Sequence, residues 1–231
     1  MSSMLEGLLP RQERTTMADK VYLDIKRLLL SGSIPPGEKV TLRGLANVLG
    51  TSPMPVRDAT TRLVIEGALD MLPNRGLRVF KPKRQKFHEI VKLRCCLEGF
   101  AAEEAVGNID QKTIAEIKAH VRKFDRLGRQ KKIDMVAVIE ANRDIHFTLY
   151  AAAGMPMLET MIENIWTQIA PVFALSMSTK DRRSEKWESF DHHDRLVQAL
   201  LARDGQAARE AVVADIRDAA DYIESIANLS D

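Results

Sequence analysis

Apolar residues near the N-terminus recur at the spacing of a helix in three short segments. Val21, Ile25 and Leu29 share one face of the first segment, which starts after Thr16 and closes at Gly32. The second has Thr41 as N-cap and ends at Gly50, and the third starts at the N-cap Ser52 and runs to Gly67. Two short helices separated by a glycine turn indicate a helix-turn-helix.

A β-hairpin is predicted directly after these helices. Residues 69–72 and 77–80 are strand-like, and they flank the turn sequence Pro73-Asn74-Arg75-Gly76. Three helices followed by a hairpin are the order of a winged helix-turn-helix, here spanning residues 15–80. Residues 1–14 have no clear period and are predicted to form a flexible arm.

No strand pattern follows the linker at residues 81–85. Six helical patterns fill a second domain predicted at residues 86–228, in the ranges 86–106, 110–128, 132–153, 156–178, 184–203 and 205–228. Every connection between them is short, so consecutive helices are expected to be antiparallel neighbours in one bundle. The predicted fold is mainly α: a winged helix-turn-helix followed by an all-α antiparallel bundle of about six helices.

Charge is distributed unevenly between the two predicted domains. Residues 11–86 contain 15 Lys and Arg against 7 Asp and Glu, whereas residues 87–231 contain 19 against 24. A basic module joined to an acidic remainder is typical of a nucleic-acid-binding domain fused to another unit. Chance clustering of solvated charge is the alternative explanation.

Composition predicts a cytoplasmic protein with no membrane partner. No apolar run approaches the roughly 20 residues needed to span a bilayer, and the N-terminus lacks the pattern of a signal peptide. The two cysteines, Cys95 and Cys96, are adjacent and poorly placed for an intrachain disulfide, which suggests a reducing compartment.

Candidate DNA-binding residues lie at the two places where a winged helix meets DNA. The N-terminal end of the second helix of a helix-turn-helix enters the major groove, where Arg57 can reach a guanine edge or a phosphate. The wing tip is predicted to approach the minor groove. The full set of candidates is Arg43, Thr51, Ser52, Met54, Arg57, Asn74, Arg75 and Gly76.

Polar residues interrupt the apolar faces of four helices in the second domain. They are Arg94 on the first helix, Asn142 and His146 on the third, His193 on the fifth and Asp215 on the last. Because an unpaired buried polar group is costly, these side chains must meet partners inside the bundle.

Two interpretations of the inward-facing polar residues are open. Asn142, His146, His193 and Asp215 offer the ligand types that hold a divalent metal such as zinc or nickel, and Arg94 adds a cationic fork for a carboxylate. Arg94, Asn142, His146 and His193 would then contact a bound effector. Alternatively, Arg94 and Asp215 form an internal ion pair beside two hydrogen-bonded histidines.

Residues 21–80 resemble the GntR family of bacterial repressors. The motifs that carry the resemblance include Leu42-Arg43-Gly44-Leu45-Ala46, Pro55-Val56-Arg57-Asp58-Ala59 and Asn74-Arg75-Gly76. The family usually has Arg-Thr where this chain has Pro53-Met54, so the operator sequence does not transfer.

Residues 86–226 resemble the FCD effector domain of FadR-like members of that family. Arg94 with Leu97-Glu98 matches an Arg-x-x-Leu-Glu element, and Asn142 with His146 matches an Asp-x-x-x-His element. The resemblance implies a metal held by an Asp or Asn and three His, and a small organic acid as effector. Here Asp215 stands where the third His usually lies. His192, at a position usually taken by Glu, is expected to face solvent.

The leading hypothesis is a homodimeric transcription regulator that binds double-stranded operator DNA and responds to a small carboxylate metabolite. A structural DNA-binding protein whose bundle serves only dimerisation is one alternative. A metal-dependent hydrolase using His146, His193 and Asp215 is another, and it leaves the basic winged helix without a role.

Overall fold

A computed structural model describes residues 16–73, 76–177, 187–226 and Leu229. The N-terminal unit contains, in chain order, α1 (Met17–Leu30), β1 (Lys39–Val40), α2 (Leu42–Val48), α3 (Pro53–Ile65), β2 (Leu69–Met71) and β3 (Leu77–Val79). This confirms three helices followed by a hairpin. The predicted arm at residues 1–14 lies outside the described residues.

Local capping chemistry explains where the first helices begin. Thr16 and Asp19 form a reciprocal capping box at the start of α1, and the Thr41 hydroxyl accepts a hydrogen bond from the Gly44 N–H at the start of α2. Ser52 is the N-cap of α3 but makes no capping hydrogen bond through its side chain. Pro53 occupies the first turn of α3, where the missing N–H costs no intrahelical bond.

The sheet contains a strand that the sequence did not indicate. The order is β1-β3-β2 with both pairs antiparallel, and Lys39 lies opposite Arg78 in the β1–β3 pair. A two-residue strand is too short to show an alternating pattern. The sheet and the three helices enclose one apolar core, which includes Ile25, Leu29, Leu63 and Val79.

The C-terminal unit is a bundle of six helices in the described residues, as predicted. They are α4 (Arg84–Asn108), α5 (Gln111–Gly128), α6 (Met135–Ala152), α7 (Pro156–Met177), α8 (Glu188–Ala202) and α9 (Gly205–Ile226). Helix α4 starts inside the predicted linker. The most extensive packing is between α4 and α9, followed by α8 with α9 and α5 with α6. The prediction that all consecutive helices are neighbours is wrong for α4 with α5 and for α7 with α8, which make little contact.

The C-terminal end of α1 is embedded in the bundle. Leu30 belongs to the apolar core of the C-terminal unit, although α1 itself belongs to the winged helix. Helix α7 contacts α1 along this junction. In the described part of the chain, no helix is both long enough and apolar enough to cross a membrane.

Candidate effector site and DNA interface

The N-terminal end of α3, which is predicted to enter the major groove, is exposed. Met54 is 66% exposed. Ser52, Arg57 and Arg43 are also exposed, and Thr51 is half-buried. Within the described residues, neither arginine side chain is engaged in an ion pair or a hydrogen bond. These groups are therefore available to an external partner. At the wing tip, Asn74 and Arg75 lie outside the described residues, and Gly76 immediately precedes β3.

A buried ion pair occupies the inner face of α4. Arg94 is 4% exposed, and its Nε and Nη2 atoms donate hydrogen bonds to Glu98 at 2.6 and 3.1 Å. The guanidinium also lies 4.9 Å from the ring centroid of Trp166. Burial lowers the pKa of Arg94, but the charge and hydrogen bonds of Glu98 more than offset this and raise it overall. The interpretation that pairs Arg94 with Asp215 is therefore wrong, because Glu98 holds the guanidinium.

Hydrogen bonds connect Glu98 to the predicted ligand cluster. The Tyr150 hydroxyl donates to Glu98 at 2.7 Å, and His146 Nδ1 lies 3.1 Å from the same hydroxyl oxygen. The hydroxyl proton is directed to Glu98, so the hydroxyl oxygen can accept a hydrogen bond from His146 in the tautomer that carries a proton on Nδ1. In that tautomer of the neutral ring, Nε2 has a free lone pair that a cation can use.

Asp215 lies at the centre of the cluster, between the two histidines. Its Oδ2 is 3.2 Å from His146 Nε2 and 3.8 Å from His193 Nε2, and all three residues are buried. None of these contacts has the alignment of a hydrogen bond. Both ring nitrogens of His193, Nε2 of His146 and Oδ1 of Asp215 consequently have no hydrogen-bond partner among the described residues.

Burial and the neighbouring side chains together set the protonation of His193 and Asp215. It lowers the pKa of His193 to about 4, so the ring is neutral near pH 7. For Asp215, burial acts to raise the pKa, but the adjacent His146 and His193 outweigh it and the pKa lies below the usual range. An ionised carboxylate therefore faces the neutral imidazole of His193.

The nitrogen and oxygen atoms that lack a hydrogen-bond partner among the described residues suit a divalent cation. A carboxylate oxygen and unprotonated imidazole nitrogens gathered in a buried space are the donors that zinc and nickel accept. Asn142 lines the cavity beside the cluster and adds an amide oxygen. His146, His193 and Asp215 would hold the ion, which would supply positive charge for an anionic ligand.

A small cavity adjoins the cluster. Its volume is about 30 Å³, and its wall includes Arg94, Asn142 and Asp215 together with Ile139, Trp166, Ala170, Phe173 and Ser189. The structure thus brings Arg94, Asn142 and Asp215 together, with His146 and His193 directly behind. Sequence reasoning missed Trp166, whose buried Nε1–H has no acceptor among the described residues.

His192 differs from its sequence expectation. It is 6% exposed rather than solvent-facing, and its Nε2 lies 2.5 Å from Asp218 Oδ2. Helix α8 packs against both α5 and α9, so two consecutive residues of this helix are buried.

The fold and the site together define a class: a winged-helix DNA-binding module joined to a helical ligand-binding domain. Residues 17–79 match the family model for bacterial regulatory proteins of the gntR family, and residues 89–218 match the FCD domain. The chain belongs to the GntR family of transcriptional regulators, in the group with an FCD domain.

Relatives cover most of the chain. The HTH-type transcriptional regulator McbR of Escherichia coli K12 is 29% identical over 87% of this chain and 90% of its own length. The solved structure of E. coli McbR/YncC matches with a TM-score of 0.84 at 27% identity, covering 93% of this chain and all of that one. The gluconate operon transcriptional repressor of Bacillus subtilis is 23% identical over 90% of this chain and 85% of its own. The protein is a DNA-binding transcriptional regulator, and its family and relatives are regulators rather than enzymes.

Proposed function

We propose that this regulator is a homodimeric, cytoplasmic repressor whose operator affinity is controlled by a small organic acid. The acid binds in the cavity beside Arg94 and Asp215, through a zinc or nickel ion held by Asn142, His146, His193 and Asp215. One relative is named as the repressor of an operon for gluconate, itself an organic acid. That name supports the chemical class of the effector.

One observation carries the sensing role: the cavity wall is also the surface on which the winged helix rests. Gly32, just after α1, packs against Ile139 and Ala170, and both of these residues line the cavity. Helix α7 contributes Trp166, Ala170 and Phe173 to the cavity. A ligand that displaces this wall therefore acts directly on the DNA-binding unit.

Polar contacts reinforce the same junction. Lys26 of α1 is 5% exposed and donates to Glu163 of α7 at 2.7 Å. Gln168 of α7 donates to the Glu66 carbonyl, at the end of α3, at 2.9 Å. Both cavity and junction thus contact one helix, which contains Pro171 and so lacks one internal hydrogen bond. We expect α7 to bend at Pro171, where this hydrogen bond is missing.

Charge favours an anionic ligand only when the cation is present. Arg94 is balanced by Glu98, whereas the ion-pair contacts of Asp215 among the described residues are with histidines alone, and His193 is neutral near pH 7. The metal-free cluster therefore has a negative charge without a lysine or arginine to balance it. A divalent cation reverses that sign. The Trp166 N–H, which has no acceptor among the described residues, then offers a neutral donor to an oxygen of the ligand.

The cavity must expand to admit an organic acid. Its 30 Å³ is close to the volume of one water molecule in the liquid. Expansion requires displacement of at least one wall helix, and α7 supplies three wall residues. Because the cavity is larger when this wall helix is displaced, the effector binds the two states of the protein with different affinities.

An exposed stripe on α4 supports dimerisation. Leu93, Cys96 and Phe100 lie on one outward face of this helix at spacings of three and four residues. Two winged helices held by such a contact would read the two halves of a pseudo-palindromic operator.

The sensing role is tested by operator binding in the presence and absence of metal. Fluorescence anisotropy with a selected operator would be measured against a panel of small mono- and dicarboxylates, with zinc or nickel present or removed by chelation. At least one acid is expected to change operator affinity about tenfold, within the usual range of allosteric coupling, and only with metal present.

Two matched variants test whether the response to the acid depends on the proposed cation site. Asp215→Asn keeps the side-chain shape but weakens the cation site, so it is expected to abolish the effect of the acid. Asp144→Asn changes a half-buried carboxylate on α6 that pairs with Lys123 outside the cavity, and it should respond as wild type. If no carboxylate alters operator affinity in metal-replete protein, the sensing role is wrong and the bundle serves another purpose.

The DNA contacts are proposed from exposure. Arg57 reads a base edge, Arg43, Thr51 and Ser52 contact the backbone, and the wing residues Asn74, Arg75 and Gly76 approach the minor groove. Met54 is the apolar member of the set, and its exposed thioether is suited to the C5-methyl group of thymine.

Met54 therefore predicts a specific effect of thymine methyl groups. Replacing single thymines of the operator by deoxyuridine should reveal one position per half-site where wild-type affinity falls about fourfold, as expected for one buried methyl. Met54→Ala should be insensitive to that replacement. Ile65→Ala is the control, because Ile65 is 81% exposed at the opposite end of α3. A Met54→Ala protein that still discriminates deoxyuridine would exclude this contact.

A further inference from the structure

A second group of metal-ligand side chains lies on α8 and α9, apart from the cluster beside the cavity. Glu188, His192 and Asp218 each offer one ligand atom, and these atoms lie within 4.8 Å of one another. Glu188 and His192 are four residues apart, so they share one face of α8. Asp218 reaches them from α9, which packs closely against α8.

His192 is the buried member of this group, whereas Glu188 is exposed and Asp218 is half-buried. His192 is more than nine-tenths buried, and its Nε2 is the ring nitrogen that contacts Asp218 Oδ2. In the described part of the chain, Asp218 forms an ion-pair contact only with His192, and Glu188 pairs with no lysine or arginine. Two carboxylates thus converge on one buried imidazole, and neither pairs with a lysine or arginine of the described residues.

We propose that Glu188, His192 and Asp218 form a second divalent-cation site. Two carboxylates and one imidazole suit a first-row ion such as zinc, with water in the remaining positions. Ligand atoms of tetrahedral zinc are about 3.3 Å apart, so Asp218 Oδ2 must retreat from its 2.5 Å contact with His192 Nε2. Its side chain is 38% exposed and has room to do so.

The position of the site gives it a structural consequence. Glu188 is the first residue of α8, and the next residue, Ser189, lines the cavity. An ion bound by both Glu188 and Asp218 would link the first turn of α8 to α9. Asp218 lies on α9 three residues after Asp215. Occupancy of the second site therefore fixes the α8 wall of the cavity without contacting the ligand.

Native mass spectrometry of the full-length chain titrated with zinc measures the stoichiometry directly. Wild type is expected to bind two ions per chain. Glu188→Gln should raise the dissociation constant of one ion at least tenfold, and this variant tests the site without a folding risk, because Glu188 is exposed. His192→Ala should bind a single ion, and so should His193→Ala, which removes a ligand of the other cluster.

Asp194→Asn is the matched control, since Asp194 is another exposed acid of α8 that lies outside both clusters. It should bind two ions with unchanged affinity. The proposal is overturned if wild type binds no zinc, if it saturates at one ion that His193→Ala abolishes, or if both ions persist in Glu188→Gln and His192→Ala. In the second case His192 and Asp218 are simply a hydrogen-bonded pair, and the cluster beside the cavity is unaffected.

Discussion

Replacing Glu98 by alanine is expected to lower the free energy of unfolding by about 3–5 kcal/mol, the usual result of removing one partner from a buried ion pair. Arg94 is 4% exposed and Glu98 is 1% exposed, so neither charge can turn to solvent. The variant leaves the guanidinium uncompensated and also removes the acceptor of the Tyr150 hydroxyl. Urea unfolding of metal-free protein, followed by circular dichroism, measures the loss.

Glu103→Ala is the control for the Glu98 variant. Glu103 lies on the same helix and pairs with Arg209 at 2.8 Å, but both side chains are about 40% exposed. An exposed pair of this kind contributes under about 1 kcal/mol. Adding Arg94→Met to Glu98→Ala should restore part of the stability, because the buried charge is then gone. Equal losses for Glu98→Ala and Glu103→Ala would show that Arg94 does not depend on Glu98.

Helical periodicity was sufficient to predict that these polar residues face the interior of the bundle. Arg94, His146, His193 and Asp215 interrupt apolar stripes, and each stripe faces the interior of the bundle, so the polar residues had to meet there. The structure places His146, His193 and Asp215 within one cluster and Arg94 in the adjoining cavity wall. The match to the FCD domain agrees with this arrangement.

The sequence did not predict which hydrogen bonds and ion pairs join the residues of the site. Glu98 lies four residues after Arg94, and Tyr150 four residues after His146, so both spacings were visible signals for contact on one helix face. Which of several carboxylates would bind Arg94 depended on how α4 is rotated against α6 and α9. Periodicity locates a face to within a broad sector, and it cannot choose between Glu98 and Asp215.

His192 illustrates a second limit. Consecutive residues of a helix point about 100° apart, so a buried His193 suggested an exposed neighbour. Helix α8 lies between α5 and α9, and its buried surface is wide enough to include both histidines. The strand β1 was missed for a different reason, because two residues present no period and pairing with β3 creates the strand.

Replacing Gly32 by alanine is expected to disrupt the junction between the winged helix and the cavity wall. Gly32 has a φ of +65°, and a Cβ there would overlap the Cβ of Ala174 and lie 3.3 Å from Ile139 Cδ1. Both the left-handed backbone and the overlap oppose the substitution. We expect a loss of about 2–5 kcal/mol, combining roughly 1–2 from the backbone with 1–3 from overpacking.

Gly154→Ala separates these two contributions. Gly154 has a φ of +68°, and no described atom lies within 4 Å of the point where a Cβ would stand, so its substitution causes only the backbone strain. The difference between the two variants therefore measures the packing of the junction. If Ile139 and Ala170 transmit ligand binding to the winged helix, Gly32→Ala should also shift operator affinity toward that of ligand-bound wild type and reduce the further effect of ligand. Identical stability and operator response in the two alanine variants would show that the junction does not couple the cavity to DNA binding.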